Sequence, residues 1–487
     1  MARKRIFAHR LVRRLSSQPV PTGASGKILV LCAAVALGWS AAAIAATGGA
    51  SSPTGASGVT GASGTTGTTG ATTLTPLAKL NRKMAAAMKP LGSNSGAYVY
   101  DLTSGQVLYD DDGAVPRSPA SVEKLYTLTA ALKLFGPSGT LTTAVDGVGT
   151  LEPDGVWDGN LYLRGGGDPT FGDLHFIKDW YGDGASVGAL AAKLVAATHI
   201  TRVDGSIIGD ESYFDSLRGD PASDFAPDPN LVGELSALSF DRGAAGRQGT
   251  PAAHAAWELS GALYRDHVKV TGHAEHGVTP PGARPLVSIA SPPMSALADL
   301  TATPSDDFFA EMILKALGAR FGAGGSTAAG AAVVARVLAG LGINAQIVDG
   351  SGLSRADLTS PQQVVTLLRD LSPGGVASLQ TVGADLRAAL PVDGKTGTLS
   401  ARMVGTAADG NCQAKTGTLS NASDLAGWCD GNYAFALLMN DVDVSNAEKA
   451  QDKIVEALAR YGRTNTAEAH SSSAKKPASS STATPSR

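Results

Sequence analysis

Residues 119–124 read Pro-Ala-Ser-Val-Glu-Lys, and large apolar residues follow at positions 125, 128, 132 and 135. This helical spacing predicts a helix with Ser121 in its first turn. Ser121 and Lys124 are three positions apart, so they would be neighbours on one face of that helix. A serine hydroxyl becomes a nucleophile when a base takes its proton, and a desolvated lysine can act as that base. Ser-x-x-Lys pairs also arise by chance, so this pair alone identifies no site.

A second group of polar residues lies near the end of the chain, where residues 413–420 read Gln-Ala-Lys-Thr-Gly-Thr-Leu-Ser. A strand of this composition can bind a peptide along its edge, because glycine lets another backbone approach closely. A solvated edge strand also commonly contains lysine and threonine. Residues 395–398 also repeat the Lys-Thr-Gly-Thr sequence of residues 415–418. The candidate residues of this strand are Lys415, Thr416, Gly417 and Thr418.

A third polar group, Ser305-Asp306-Asp307, precedes an apolar helical stretch that ends at Gly318. Its ordinary interpretation is an N-cap serine followed by two acids in the first turn, which would stabilise the helix by about 1 kcal/mol. Capping accounts for every polar residue there, so this segment taken alone is predicted to be structural.

The charge of the chain is distributed unevenly. Residues 1–73 contain seven bases and no acid, whereas residues 74–462 contain 29 bases and 42 acids, a formal charge near -13. An acidic body argues against a nucleic-acid binder, since such binding depends on neutralising phosphates. At 389 residues this body exceeds what one hydrophobic core usually serves, so we expect two or more domains.

The N-terminus has the features of an export signal. Residues 1–27 are basic, and the uncharged residues 28–46 end in a small-x-small pattern suited to cleavage. The same stretch is long enough to remain in the bilayer as an anchor, so secretion and membrane anchoring in the cell envelope both stay open. Residues 47–73 are predicted to be a Gly/Ser/Thr-rich flexible linker, and residues 463–487 a disordered Ser/Ala/Pro-rich tail.

The body itself combines helices with strands. A capped helix is predicted after Thr75, a hairpin at residues 97–109, a buried strand at residues 433–439 and a last helix that ends at Gly462. Residues 144–287 alternate short apolar runs with turns, as expected of an inserted region of mixed or mainly β character. The predicted fold class is therefore α/β (α+β), with a helix-covered sheet and this insertion.

Cys412 and Cys429 are the two cysteines of the body, and an exported protein is normally oxidised. A disulfide between them would stabilise the fold by roughly 3 kcal/mol. The alternative is two unpaired buried thiols.

The three polar groups occur in the order found in penicillin-recognising serine enzymes. More narrowly, the chain resembles the D-alanyl-D-alanine carboxypeptidase/endopeptidase family, the class C low-molecular-mass penicillin-binding proteins, also called peptidase family S13. The resemblance extends from about residue 77 to about residue 461. The matching segments are residues 117–121, 161–169, 235–239, 349–355 and 414–420.

The family pattern also distinguishes the two Lys-Thr-Gly-Thr segments. In the family, an Ala-Gly-aromatic segment follows the catalytic lysine, and Ala426-Gly427-Trp428 follows Lys415 in this way. Residues 393–402 match a Gly-Thr-Leu turn in which the family has no catalytic lysine, so Lys395 is predicted to be a bystander.

The resemblance implies a penicillin-binding transpeptidase-like domain formed by residues 74–143 and 288–462. It implies that Ser121 attacks the carbonyl of a D-Ala-D-X bond in a peptidoglycan stem peptide, while Lys124 accepts the serine proton. The backbone N–H groups of Ser121 and Thr418 would form the oxyanion hole.

The remaining roles are likewise implied by the resemblance. Ser305 and Lys415 would pass the proton to the leaving amine, and Thr416 and Thr418 would hold the terminal carboxylate. Water then releases the acyl-enzyme, and a β-lactam would stall at that stage. No cofactor or metal is expected, and His273 and His276 lack a third ligand with metal spacing.

The sequence departs from the family at one position, because Asp307 replaces the asparagine of the Ser-x-Asn motif. An ionised aspartate only accepts hydrogen bonds, and near two lysines it would favour their charged forms. We therefore expect a working but slower enzyme, with acylation most impaired at low pH. The alternatives are a catalytically impaired peptidoglycan-binding scaffold and a β-lactamase, the latter disfavoured by the large insertion. Carboxypeptidase and endopeptidase activities stay equally open.

Overall fold

The structure is a computed structural model that describes residues 74–473. The predicted export or anchor segment, including residues 28–46, the linker at 47–73 and residues 474–487 of the predicted tail lie outside the described residues. Within residues 74–473, no helix combines the length and apolar character needed to cross a membrane.

The described chain combines helices and strands, as predicted. The helices are α1 (Pro76–Met88), α2 (Lys124–Leu134), α3 (Leu174–Trp180), α4 (Val187–Thr198), α5 (Pro251–Arg265), α6 (Met294–Ala302), α7 (Asp307–Phe321), α8 (Thr327–Ala339), α9 (Pro361–Asp370), α10 (Gln380–Ala389) and α11 (Val444–Ser473). The strands are β1 (Ser95–Asp101), β2 (Gln106–Asp111), β3 (Thr142–Leu151), β4 (Val156–Arg164), β5 (Arg202–Asp204), β6 (Ile207–Asp210), β7 (Lys269–Val270), β8 (Ala274–His276), β9 (Arg284–Ala290), β10 (Cys412–Leu419), β11 (Ala422–Cys429) and β12 (Tyr433–Asn440).

A five-stranded antiparallel sheet is built from both ends of the described chain, in the order β10-β11-β12-β1-β2. Both faces of β12 are buried: Phe435 and Leu437 pack in one core, and Ala436 and Leu438 in the other. Burial on both faces accounts for its continuous apolar sequence, because neither face meets water. The predicted hairpin and opening helix are confirmed, and Thr75 caps that helix.

A second sheet occupies the middle of the chain, with strand order β7-β5-β4-β3-β9 and with β6 pairing to β4 and β8. It is mixed, since β3 pairs antiparallel with β4 and β9 whereas β4 pairs parallel with β5 and β6. The predicted limits of the insertion, residues 144 and 287, fall inside β3 and β9. The sheet therefore extends a few residues beyond the predicted insertion at both ends.

The last helix continues past its predicted end. Helix α11 runs through Gly462 to Ser473, so the predicted end at Gly462 and a disordered tail from residue 463 are both wrong for this stretch. A Cβ atom on Gly462 would lie 2.5 Å from Asp430 Oδ2 and 2.9 Å from a ring carbon of Tyr433. Glycine is needed there because Asp430 and Tyr433 pack closely against the helix, and it does not mark a helix end.

A disulfide joins β10 to β11. Cys412 and Cys429 are directly paired residues of the two antiparallel strands, with Cα atoms 4.1 Å apart, and both are fully buried. The bond lies three residues before Lys415, so it fixes the start of the strand that carries the Lys-Thr-Gly residues.

We predict that the double variant Cys412→Ala/Cys429→Ala loses about 3 kcal/mol of unfolding free energy, because the unfolded chain regains the entropy of the opened loop. Urea denaturation of the oxidised wild type and the variant measures this difference. Reduced wild type is the control and should resemble the variant. Equal stability of the oxidised wild type and the variant would contradict the prediction.

Candidate active site

Ser121 lies where a 3₁₀ turn leads into a helix. The turn spans Ala120–Glu123, and α2 begins at Lys124. The preceding residue, Ala120, is buried and has a φ of 43°, a strained conformation for a residue with a side chain. Such strain is concentrated at functional sites, where it gives a side chain an orientation that a regular helix would not allow. The predicted helix start is thus present, with its first turn tightened around Ser121.

Lys124 is fully buried and makes three hydrogen bonds through its amino group. Its Nζ donates to Ser121 Oγ at 2.9 Å, to Asp307 Oδ1 at 2.6 Å and to Ser351 O at 2.7 Å. Lys124 is 0% exposed and the Asp307 side chain 18% exposed, so their ion pair is shielded from solvent on the lysine side. The spacing of Ser121 and Lys124 correctly predicted that the two side chains meet.

These three partners determine where a lone pair on Lys124 would point. The Asp307 carboxylate and the Ser351 carbonyl can only accept hydrogen bonds, whereas the Ser121 hydroxyl can also donate one. In a neutral Lys124, the two N–H bonds therefore go to Asp307 and Ser351. The lone pair is left directed at the Ser121 hydroxyl, which is the arrangement that a base for this serine requires.

Ser305 is not the N-cap of the helix that follows it. Asp306 caps α7, because its side chain accepts the N–H of Phe309 at 3.0 Å. Asp306 is held in turn by the buried guanidinium of Arg242, with contacts of 2.8 and 3.1 Å. The capping role predicted for Ser305 is therefore wrong. Serine and aspartate are comparable caps, and the helix starts one residue later than the sequence suggested.

Without a capping role, Ser305 contacts the second lysine of the site. Ser305 has a φ of 64°, and its Oγ accepts a hydrogen bond of 2.7 Å from Lys415 Nζ. Lys415 is fully buried and also donates to the backbone carbonyl of Thr416 at 2.8 Å. Both partners are neutral, so no carboxylate is hydrogen-bonded to this amine.

Burial, and next the positive charge of Lys124, hold the pKa of Lys415 well below its ordinary value. Asp307 acts in the opposite direction but more weakly. Asp307 therefore favours the charged form of Lys415, as expected, but desolvation dominates and the net pKa of Lys415 falls. A lysine of lowered pKa hydrogen-bonded to a hydroxyl can exchange protons through that hydroxyl.

The strand β10 lies against the segment that precedes the nucleophile. A Cβ atom on Gly417 would lie 2.7 Å from Pro119 O, so the absence of a side chain permits this contact. Thr416 is nearly buried, and its hydroxyl is 2.8 Å from the hydroxyl of Thr398. Thr418 lies exposed further along the same strand. The three polar groups of the sequence thus converge in one place.

Two contributors were not identified from the sequence. Ser351 contributes a backbone carbonyl from within the segment 349–355, which was noted only for its resemblance. Thr398 belongs to the repeated Lys-Thr-Gly-Thr segment that was set aside with Lys395. Lys395 itself is 55% exposed and pairs with Asp409 at 2.6 Å. The repeat therefore supplies a threonine to the site but not its lysine.

No group of three or more His, Cys, Asp or Glu side chains suited to a metal ion occurs within residues 74–473. The chemistry available at this site is that of hydroxyls, amines, one carboxylate and backbone groups.

The sequence is similar to those of known proteins. The sequence pattern of the D-Ala-D-Ala carboxypeptidase 3 (S13) family matches residues 78–230 and 228–461. The chain belongs to this family. It is 29% identical to the D-alanyl-D-alanine carboxypeptidase of Actinomadura sp. (strain R39) over 461 residues, covering 76% of this chain and 82% of that one. It is also 29% identical to carboxypeptidase DacB of Mycolicibacterium smegmatis, covering 73% and 78% of the two chains.

The fold is similar to that of a solved structure. Penicillin binding protein 4 (dacB) from Haemophilus influenzae matches with a TM-score of 0.64 and 19% identity, covering 78% of this chain and 99% of that chain. The predictions of the family, of an α/β (α+β) penicillin-binding fold and of a serine-type D-Ala-D-Ala carboxypeptidase are confirmed.

The corrected cap assignment predicts unequal effects of two neighbouring substitutions. Asp306→Ala should lower the free energy of unfolding by roughly 3–5 kcal/mol, because it removes a cap and leaves the Arg242 guanidinium buried without its counter-charge. Ser305→Ala should cost less, about 1–3 kcal/mol, because it removes one acceptor of the buried Lys415 amine but no cap and no counter-charge. Thermal or urea denaturation of both variants tests this. A larger loss of unfolding free energy in Ser305→Ala than in Asp306→Ala would indicate that Ser305 is the cap after all.

Proposed function

We propose that this enzyme cleaves D-alanyl-D-X bonds of peptidoglycan stem peptides through a covalent ester on Ser121. The observation that carries the proposal is the 2.9 Å contact between Ser121 Oγ and the buried Lys124 amine, whose other two partners can only accept. This arrangement favours transfer of the Ser121 proton to Lys124 as the oxygen attacks the substrate carbonyl. The N–H groups of Ser121 and Thr418 stabilise the resulting oxyanion.

The second lysine completes the reaction. Ser305 and Lys415, joined by their 2.7 Å hydrogen bond, relay the proton that Lys124 took from Ser121 to the departing amine, and water later releases the acyl group. Thr416 and Thr418 receive the terminal carboxylate of the substrate beside Lys415. These assignments draw support from the convergence of the three polar groups and from family membership.

A β-lactam would acylate the same serine and remain there as a stable ester. The penicillin binding protein 4 of Haemophilus influenzae has been solved in complex with a novel β-lactam, which supports this proposal for a chain of the same fold. Family members are cell-envelope enzymes. We propose the same compartment for this chain, either secreted or anchored through residues 28–46.

Asp307 sets the pH range of the enzyme in this proposal. Its carboxylate keeps Lys124 oriented but stabilises the charged ammonium, which cannot accept a proton. Acylation is therefore slowed rather than abolished, and most strongly at low pH. A scaffold without catalysis is the alternative, but the nucleophile contacts its base, and Ser305 contacts Lys415.

The decisive experiment is labelling with a fluorescent penicillin. Wild type should form a covalent adduct at Ser121, located by mass spectrometry of the peptide, and Ser121→Ala should form none. Ser118→Ala is the matched control, because its buried hydroxyl has no hydrogen-bond partner among the described residues. An unlabelled wild type of native fold would support the scaffold alternative and refute the proposed enzyme.

We predict that Asp307→Asn accelerates acylation at pH 6 by roughly tenfold, because the amide oxygen still accepts from Lys124 while the charge that favours the ammonium is removed. The two enzymes should differ most at low pH. Stopped-flow acylation across pH 5–10 measures this. Identical rates and pH profiles would show that Asp307 does not control the base.

Incubation with purified sacculi separates the two peptidase activities. We propose that both trimming of free stem peptides and cleavage of cross-links are chemically available to this site. Release of free D-alanine identifies carboxypeptidase activity, and conversion of cross-linked dimers to monomers identifies endopeptidase activity. Turnover of a chromogenic cephalosporin would instead identify a β-lactamase.

A further inference from the structure

A tight turn at residues 349–354 lies directly behind the Lys124 amine. The carbonyl of Ser351 accepts from Lys124 Nζ at 2.7 Å, and the carbonyl of Gly350 accepts from the buried Thr127 hydroxyl at 3.0 Å. The turn therefore contacts α2 at Lys124 and again at Thr127, three residues further along. The position of the turn therefore determines where the Ser351 carbonyl lies, and this carbonyl is one of the two partners of Lys124 that can only accept a hydrogen bond.

The buried carboxylate of Asp349 fixes this turn from the opposite side. Asp349 Oδ1 accepts the N–H of Gly352 at 2.6 Å and that of Ser351 at 3.1 Å, while Oδ2 accepts the N–H of Ser354 at 2.6 Å. The Gly352 N–H and the Ser351 carbonyl belong to the same planar trans peptide, so they point in opposite directions. When Asp349 holds the N–H, the carbonyl on the other side is aimed at Lys124.

Other buried acids surround Asp349 but hold the turn less completely. Glu311 Oε1 accepts the N–H groups of Gly350 and Ser351, whereas its Oε2 has no partner. Burial first, and then the charge of Asp349, raise the pKa of Glu311 to about 8 and that of Asp357 to about 10. Burial likewise raises the pKa of Glu123 well above its ordinary value. Near neutral pH Glu311 and Asp357 therefore retain protons and add little negative charge beside Lys124.

We infer that Asp349 is a positioning residue for Lys124, and that it acts through the Ser351–Gly352 peptide. The inference rests on the proposed function, in which Lys124 is the base for Ser121. Asp349 touches neither the substrate nor the serine. It keeps the Ser351 carbonyl in place, and the carbonyl keeps the lone pair of the neutral amine directed at the hydroxyl.

The test compares Asp349→Asn with Glu311→Gln. In Asp349→Asn an NH₂ group must replace one carboxylate oxygen, so it faces at least one of the three backbone N–H groups, and the peptide must turn. In Glu311→Gln the amide oxygen can keep both hydrogen bonds, and the NH₂ replaces an oxygen that has no partner. The two substitutions make the same chemical change at two buried acids of one turn.

Acylation by a penicillin is measured against penicillin concentration, which separates the maximal acylation rate from the concentration that gives half of it. Asp349→Asn should lower the maximal rate by roughly 10- to 100-fold, as expected for a misplaced reacting group, and leave the half-saturating concentration within about twofold. Glu311→Gln should change both quantities less than about threefold. A general loss of structure would move both quantities, and so would not produce this pattern.

Equal maximal rates in wild type and a folded Asp349→Asn overturn the inference, and so does an equal loss in Glu311→Gln. If Asp349→Asn fails to fold, Thr127→Val removes only the hydroxyl that holds the Gly350 carbonyl. Its maximal rate should then fall by roughly threefold or more at unchanged half-saturation, and a wild-type rate there overturns the inference. An unlabelled wild type would refute the proposed function as well, whereas a labelled wild type with an unaffected variant refutes this inference alone.

Discussion

The Lys124 amino group is removed from water entirely, and a buried amine costs on the order of several kcal/mol unless hydrogen bonds replace its hydration. Ser121, Asp307 and Ser351 provide that replacement. They come from three distant parts of the chain, so the folded arrangement of α2, α7 and the turn at 349–354 is what makes the burial tolerable. The same three contacts that replace the hydration of the amine also orient it, so the stability of the site is directly linked to its chemistry.

The two lysines of the site experience the burial differently. Lys124 has a carboxylate partner, whereas Lys415 has only a hydroxyl and a carbonyl, and burial lowers its pKa. Two amines in one enclosed site disfavour simultaneous protonation, because like charges repel more strongly away from water. Asp307 therefore offsets the charge of Lys124, to which it is hydrogen-bonded, more than the charge of Lys415, on which its influence is weaker than that of burial.

Much of this arrangement could be predicted from the sequence, for identifiable reasons. The contact between Ser121 and Lys124 follows from helical spacing, and the sheet follows from continuous apolar strands such as β12. The cap of α7 was misassigned because serine and aspartate have similar preferences, and only the backbone shows which one is in register. The contact of the Ser351 carbonyl could not be predicted, because every residue has a backbone carbonyl. The residue type at position 351 therefore does not indicate a contact with Lys124, 227 positions away.

The Arg242–Asp306 pair has a further consequence for how the molecule is assembled. Arg242 lies within the predicted insertion, and its guanidinium donates hydrogen bonds to Asp306, the cap of the helix that bears Asp307. The predicted insertion is therefore joined to that helix by an ion pair. Excising it to obtain a minimal enzyme would remove the anchor of that helix, so a shortened chain would need a replacement cation at the same place.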